Sequence, residues 1–234
     1  METFAVGALS CNCSIIINTQ TQEALVVDPG DDFELIKDKL QHHKSTLKYL
    51  WHTHAHFDHI GATFELLQHF SKQQDIAPQV FLHSEDKWLY DNIALQCQRY
   101  GMSVFSFPAE VKTIKADHKF EGFEEFYNLF TPGHTPGSCS MAAHCEGKEV
   151  DLHFQGDSKV YQIQDLVFTG DTLFRGSVGR TDLWGGDMAT IEKSIRNKLY
   201  TLNAPTVVVP GHGPLTSIEQ ECEKNQFFKQ KPVG

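Results

Sequence analysis

Seven side chains of metal-binding type fall in a suggestive pattern along this chain. The segment Thr53-His54-Ala55-His56-Phe57-Asp58-His59 carries three imidazoles and one carboxylate. In extended backbone, residues i, i+2 and i+4 point to one side, so His54, His56 and Asp58 can converge on one volume. His59 has the wrong parity and joins them only if the chain turns there. Three single residues follow far downstream. His134 lies between two Pro-Gly turns, Asp171 follows Thr169-Gly170, and His212 stands between Gly211 and Gly213. Each alone is a weak signal; together they describe a centre for divalent metal. Neutral imidazole and carboxylate suit zinc, iron or manganese, and the lack of thiols at these positions argues against a closed structural zinc site. Leaving the histidine cluster buried without a metal would cost several kcal/mol. A lone histidine is ordinarily a packed or solvated residue, so His42, His43, His52, His69, His83, His118, His144 and His153 receive no role.

The elements that must position these residues are strands ending in Gly- or Pro-bent loops. Phe4–Leu9, Ser14–Asn18 and Ala24–Val27 read as strands, the last stopped by Asp28-Pro29-Gly30. Asp31 or Asp32 is placed to cap a helix to about His43, with Phe33, Ile36 and Leu40 at helical spacing. Leu47–Trp51 is a short buried strand running into the histidine segment. A helix is expected from about Ile60, with Phe64, Leu67 and Phe70 on its apolar face. Gln79–Leu82 is a strand and Glu85 to about Arg99 a helix. In the second half, Glu125–Phe130, Ser138–Cys145, Asp165–Thr169 and Thr206–Val209 are strands, and Asp187–Tyr200 is a helix. The polar stretch Glu146 to Gln164 is expected to form an extended surface hairpin. Thr216-Ser217-Ile218-Glu219 has the capping-box pattern for a last helix to about Phe228. This pattern suggests strands inside and helices outside: two packed sheets flanked by helices.

The series HxHxDH, Gly-His, Gly-Asp, Gly-His resembles the ligand series of the metallo-β-lactamase superfamily. Val26–Gly30, Thr53–Gly61, Thr131–Gly137, Thr169–Asp182 and Val209–Leu215 look most like its glyoxalase II-like branch, above all the short bacterial hydroxyacylglutathione hydrolases. The resemblance covers nearly the whole chain and implies one αββα sandwich domain over residues 1–234, with two mixed β-sheets and the site at one edge. It implies that His54, His56 and His134 hold one metal ion, that Asp58, His59 and His212 hold a second, and that Asp171 bridges them. Zinc is the first expectation, with iron or manganese as alternatives. Arg180, in Gly179-Arg180-Thr181-Asp182, looks like the family's basic residue for a glutathione carboxylate. Asp182 stands where an aromatic partner would be expected. Arg175 lies on the same Gly-rich, basic loop, where it or Arg180 could bind a substrate carboxylate, and the alternative for Arg180 is an ion pair with Asp182 or Asp187. The chain ends at Gly234, so the C-terminal helical domain of full-length glyoxalase II is expected to be missing.

Two ions about 3.5–4 Å apart can share one water and bring its pKa to around 7. The expected activity is hydrolysis of a thioester such as an S-acyl-glutathione by a hydroxide held between the metals, with Asp58 orienting it. A thiolate leaves without a strong general acid. The alternatives are a persulfide dioxygenase using one iron, for which His54, His134 and Asp171 could suffice, or a lactonase. Neither a GxSxG signature nor a cysteine in a nucleophile motif is present.

Bulk composition agrees with an enzyme acting on a small molecule. The 234 residues carry a formal net charge of −10, with no Lys/Arg cluster, so neither nucleic acid nor an anionic membrane is an expected partner. The start Met1-Glu2-Thr3-Phe4 lacks a basic leader. The six cysteines form no CxxC pair, and Cys11-Asn12-Cys13 is expected to be packing. A cytoplasmic location follows as the expectation, and the oligomeric state is left open.

Overall fold

A computed structural model describes residues 1–101, 110–114, 118–145, 150–157 and 159–230. The first sheet takes its strands from β1 (Glu2–Val6), β2 (Cys11–Ile17), β3 (Glu23–Val27), β4 (Thr46–Trp51), β5 (Gln79–His83), β6 (Lys112–Ile114), β9 (Val150–Phe154) and β10 (Val160–Ile163). Their order is β10-β9-β1-β2-β3-β4-β5-β6. The second sheet, ordered β15-β14-β11-β8-β7, uses β7 (Phe126–Phe130), β8 (Cys139–His144), β11 (Asp165–Gly170), β14 (Val207–Pro210) and β15 (Thr216–Ser217). Both sheets are mixed: β3, β4 and β5 run parallel, as do β11 and β14, beside antiparallel neighbours.

Side-chain alternation explains the layering. Successive residues of a strand face opposite ways, and here both faces are covered. Leu25 and Val27 of β3 and Trp51 of β4 point inward to meet Met141, Leu166, Phe168 and Val209 of the other sheet. Ala24 and Val26 point outward onto Ile36 and Leu40 of α1 (Phe33–His42) and Leu66 and Phe70 of α3 (Thr63–Gln73). On the far side, Ala142, Val167 and Val208 pack against Ile191 of α6 (Met188–Ser194) and Ile218 and Cys222 of α7 (Ile218–Lys224). The architecture is the αββα sandwich that the resemblance implied.

Several boundaries differ from the sequence expectation. The first strand stops at Val6, because Gly7 turns at φ 67° and donates its N–H to Asp32. That bond removes Asp32 from its expected helix-capping role: its side chain makes no cap bond to α1. The helix expected from about Ile60 is two pieces, α2 (Phe57–Ile60) and α3, with the Ala62 N–H donating to Pro29 O between them. The segment expected as one helix from Glu85 is a 3-10 turn, then α4 (Lys87–Asp91) and α5 (Ile93–Arg99), broken at Asn92. The last helix is capped by Ser217, not Thr216, and ends at Lys224. The Asp187–Tyr200 helix is α6, capped by the Asp187 carboxylate, continued by a π-helical turn over Ile195–Leu199. The polar 146–164 stretch is a hairpin of β9 and β10 laid beside β1; its residues 146–149 and 158 lie outside the described set.

Leu25 is fully buried between the sheets. Leu25→Ala is expected to lower unfolding free energy by about 2–5 kcal/mol, measured by urea denaturation. A loss below about 1 kcal/mol would show that this inter-sheet layer is not close-packed.

Candidate metal centre

The site forms where strands of both sheets release the chain at one edge, the usual place for ligands in open α/β sheets. Past β4 the chain bends at Thr53 and His54, His56 is extended, and α2 begins at Phe57, earlier than the sequence suggested. Asp58 and His59 therefore project from the first turn of a helix, which is how a residue of the wrong strand parity reaches the cluster. His134 comes from the loop between β7 and β8, Asp171 follows β11, and His212 follows β14.

All seven expected ligands meet, in two groups. His56 Nδ1 lies 3.0 Å from His54 Nε2 and 2.9 Å from His134 Nε2, and Asp171 Oδ2 is 3.6 Å from His134 Nε2. In the other group, His59 Nε2 and His212 Nε2 are 3.3 Å apart. Asp58 Oδ2 is 3.2 Å from His212 Nε2, and Asp171 Oδ1 is 3.4 Å from His59 Nε2. Asp171 thus turns one oxygen toward each group.

Outer partners fix which nitrogens carry protons. Thr53 Oγ1 donates its single proton to Asp28 Oδ2, 2.7 Å away, so its 3.0 Å contact with His54 Nδ1 must be donated by the imidazole. His59 Nδ1 lies 2.9 Å from Asp28 Oδ2. His134 Nδ1 donates to Arg180 O at 2.8 Å, and His212 Nδ1 to Leu9 O at 3.0 Å. In the neutral tautomers this leaves lone pairs on the inward Nε2 atoms of all four rings, the arrangement second-shell bonds give metal-ligating histidines. One proton on His56 Nδ1 could not satisfy both of its close contacts. Among the described residues, buried Asp171 Oδ1 has no hydrogen-bond partner. Convergent lone pairs and an orphaned carboxylate oxygen fit cations at this place.

Titration points the same way. Burial first, then His59 and His56, hold His54 well below its ordinary pKa; burial and His134 bring His56 down to about 3. Both rings are neutral at physiological pH. Burial pushes Asp58 and Asp171 up, but the neighbouring histidines outweigh it and keep both carboxyls below the usual range. Burial opposes charge on His59 and His212, yet both are raised, His59 by Cys11, Asp171, Asp28 and Asp58 and His212 by Asp58 and Asp171. These carboxylates make a field that favours positive charge. Cys11 Sγ lies 3.5 Å from His59 Nδ1, but burial pushes its thiol up to about 12, so it stays protonated and is a poor ligand.

Sequence reasoning assigned no role to four supporting residues. Asp28, at φ 49° just past β3, orients His54 through Thr53 and His59 directly. Fully buried Asp86 accepts from Ala55 N, Thr135 Oγ1 and Gly137 N, tying the His54–His56 segment to the His134 loop. Asn12 donates to Pro210 O and Gly213 O around His212, and Gln155, at the tip of the β9–β10 hairpin, donates to Asn12. No local spacing marks these residues; only the pairing of distant strands brings them here. Gly211 has a local reason: a Cβ there would sit 2.3 Å from Asp171 Oδ1. His52, beside the motif, bonds Phe81 O and Thr63 Oγ1 and is packing. Arg175 is exposed, and the Arg180 fork is closed on Asp182, at 2.7 and 2.8 Å.

Because Asp28 orients one histidine in each group, Asp28→Asn is expected to weaken binding of added zinc about 10–100-fold in a chelator competition. Unchanged affinity in a folded variant would remove Asp28 from the site's support.

Comparison with known proteins agrees with this geometry. The chain is 34% identical over 239 aligned residues to hydroxyacylglutathione hydrolase GloC of Haemophilus influenzae, covering 99% of each protein. It resembles the crystal structure of TTHA1623 in a di-iron-bound form, with TM-score 0.78 and 30% identity over 97% of this chain and 99% of that one. The BLEG-1 B3 metallo-beta-lactamase also matches with TM-score 0.78, at 32% identity over 96% of this chain and 97% of that one. The family model of the metallo-beta-lactamase superfamily matches residues 6–150 and 160–212. A site of five histidines and two aspartates at the edge of an αββα sandwich, with that match across most of its length, makes this chain a metallo-hydrolase belonging to the metallo-beta-lactamase superfamily.

Proposed function

We propose that the protein is a dinuclear metal-dependent thioesterase acting on a small anionic thioester of the S-acyl-glutathione type. The observation that carries this reading is the division of the seven side chains into two groups sharing Asp171. His54, His56 and His134 would hold one ion, Asp58, His59 and His212 the other, and Asp171 both, with zinc the first candidate and iron or manganese the alternatives. The second group supports two ions over the single iron of a persulfide dioxygenase. Similarity to a hydroxyacylglutathione hydrolase along the whole chain supports the thioester.

Two divalent ions supply acidified water at neutral pH and stabilise negative charge on a carbonyl oxygen. The protein's share is placement. Asp58, ionised and only 15% exposed in its side chain, accepts a hydrogen bond from the attacking water and aims it. The outer bonds to Asp28, Leu9 and Arg180 O keep the histidines from rotating as charge develops. No acid is needed at the departing sulfur. Two divalent ions would outweigh Asp58, Asp171 and one hydroxide, so the site favours an anionic substrate. All six cysteines are buried thiols, which supports a reducing, cytoplasmic setting. No helix among the described residues is long and apolar enough to cross a membrane.

Element analysis of protein purified without chelators is expected to find about two divalent ions per chain. One ion per chain, with full activity restored by one equivalent, would defeat the dinuclear reading. Asp58→Ala is expected to cut turnover of an S-acyl-glutathione at least about a hundredfold, with an unchanged circular dichroism spectrum. Activity surviving within about tenfold would show that Asp58 does not place the water.

A further inference from the structure

Beside the metal centre stands a cation that nothing above uses. Arg99 ends α5 with its guanidinium 5.5 Å from the centre of the Trp184 ring, and that ring lies 5.9 Å from His56. Trp184 is held at φ 23°, outside the range side chains prefer, and packs against Ala55, Phe57, Ile60 and Leu89. The exposed Arg99 guanidinium makes no hydrogen bond or ion pair among the described residues. Arg180, the basic residue the sequence singles out, differs: two nitrogens of its fork are hydrogen-bonded to Asp182, whose carboxyl is held at about 2, first by that hydrogen bond and more weakly by the charges of Arg180 and, across the gap, Arg99. The pair presents no net charge to a ligand. An arginine lying on an indole keeps its edge N–H donors open and loses less freedom when it binds a planar anion.

We propose that Arg99, laid on Trp184, is the anchor for a substrate carboxylate, one indole beyond the metal-site histidine, and that Arg180 braces the loop. This rests on the thioesterase reading for its substrate, not for the anchor itself. A carboxylate bound there lies remote from the reacting carbonyl and is held alike in ground and transition states, so it governs KM more than kcat.

The test pairs kinetics with binding in the metal-loaded protein. Charge-assisted contacts of this kind predict that Arg99→Ala raises KM for an S-acyl-glutathione about 10–100-fold, with kcat changed by less than about threefold. Hydrolysis of neutral phenyl thioacetate should be unchanged in Arg99→Ala, Arg99→Lys should restore part of the loss, and Arg180→Ala, by loosening the loop, should lower kcat on both substrates without raising KM for the anionic one selectively. Calorimetry with S-methylglutathione, which cannot be hydrolysed, should show the same order of dissociation constants. Equal loss on both substrates in Arg99→Ala, or a KM rise selective for the S-acyl-glutathione carried by Arg180→Ala instead, overturns the anchor. If the wild type cleaves no thioester but binds S-methylglutathione through Arg99, the thioesterase reading fails and the anchor stands. If it binds no S-methylglutathione, the anchor fails whatever the catalysis.

Discussion

Five imidazoles and two carboxylates cannot share a dry volume unless something positive lies among them, and much of the structure around this site follows from that. The inward nitrogens of His54, His56 and His134 stand 2.9–3.0 Å apart. At that distance lone pairs repel, and low local dielectric sharpens the effect. The outer partners nevertheless enforce this arrangement. Asp28, Thr53, Leu9 O and Arg180 O each take a proton from the far nitrogen of a ring and leave the near one bare. Such a site suits positive charge, whether a metal ion or the protons that raised His59 and His212 can hold.

The need to hold these rings in place explains features remote from the chemistry. His212 belongs to the second sheet but is bonded through its ring to Leu9 O and stitched by Asn12 to the first. Cys139 N donates to Thr53 O, joining the two sheets beside the first group. Asp86 draws together the loops of His54–His56 and His134 by three bonds to one buried carboxylate. Burial pushes that carboxyl up, although all three donors oppose the shift. Removing it would leave three buried donors without an acceptor, each costing about 1–3 kcal/mol. The sandwich is thus braced most heavily where its two sheets must keep metal-binding groups within a few tenths of an ångström.

What could be read in the sequence was what local rules govern. Continuous apolar runs in Ala24–Val27 and Leu166–Phe168 mark strands buried on both faces, and a histidine between two glycines at a strand end marks a bent backbone. The seven candidate ligands could be picked out because their residue types are costly to bury otherwise. Non-local pairing was not legible. Asp28 reads as a strand stop before Pro29; only the parallel register of β3 on β4, pairing Val27 with Trp51, sets it beside Thr53. Gln155 lies in a polar stretch without motif, and it reaches Asn12 only because β9 pairs with β1. Asp86 sits in what looks like a helical run. The start of α2 at Phe57 was hidden too, since HxHxD fits strand parity as well as a turn into a helix.

Charge is distributed on two scales, and they act differently on a substrate. The net −10 is spread over the surface, where salt screens it within roughly 8 Å at physiological ionic strength. It slows an anion's approach little and says nothing about its fit. The ions' charge would be buried, focused and nearly unscreened, so it attracts any anion and discriminates poorly among them. Discrimination must come from partly exposed groups at the rim, where geometry matters as much as sign. There the Arg180–Asp182 pair cancels itself, while Arg99 remains open on Trp184. On the proposed reading, substrate choice in this chain rests on α5 and the loop after Asp171. This accounts in physical terms for one chain resembling both a hydroxyacylglutathione hydrolase and a β-lactamase: the ligand set defines hydrolytic chemistry, and the rim decides what is presented to it.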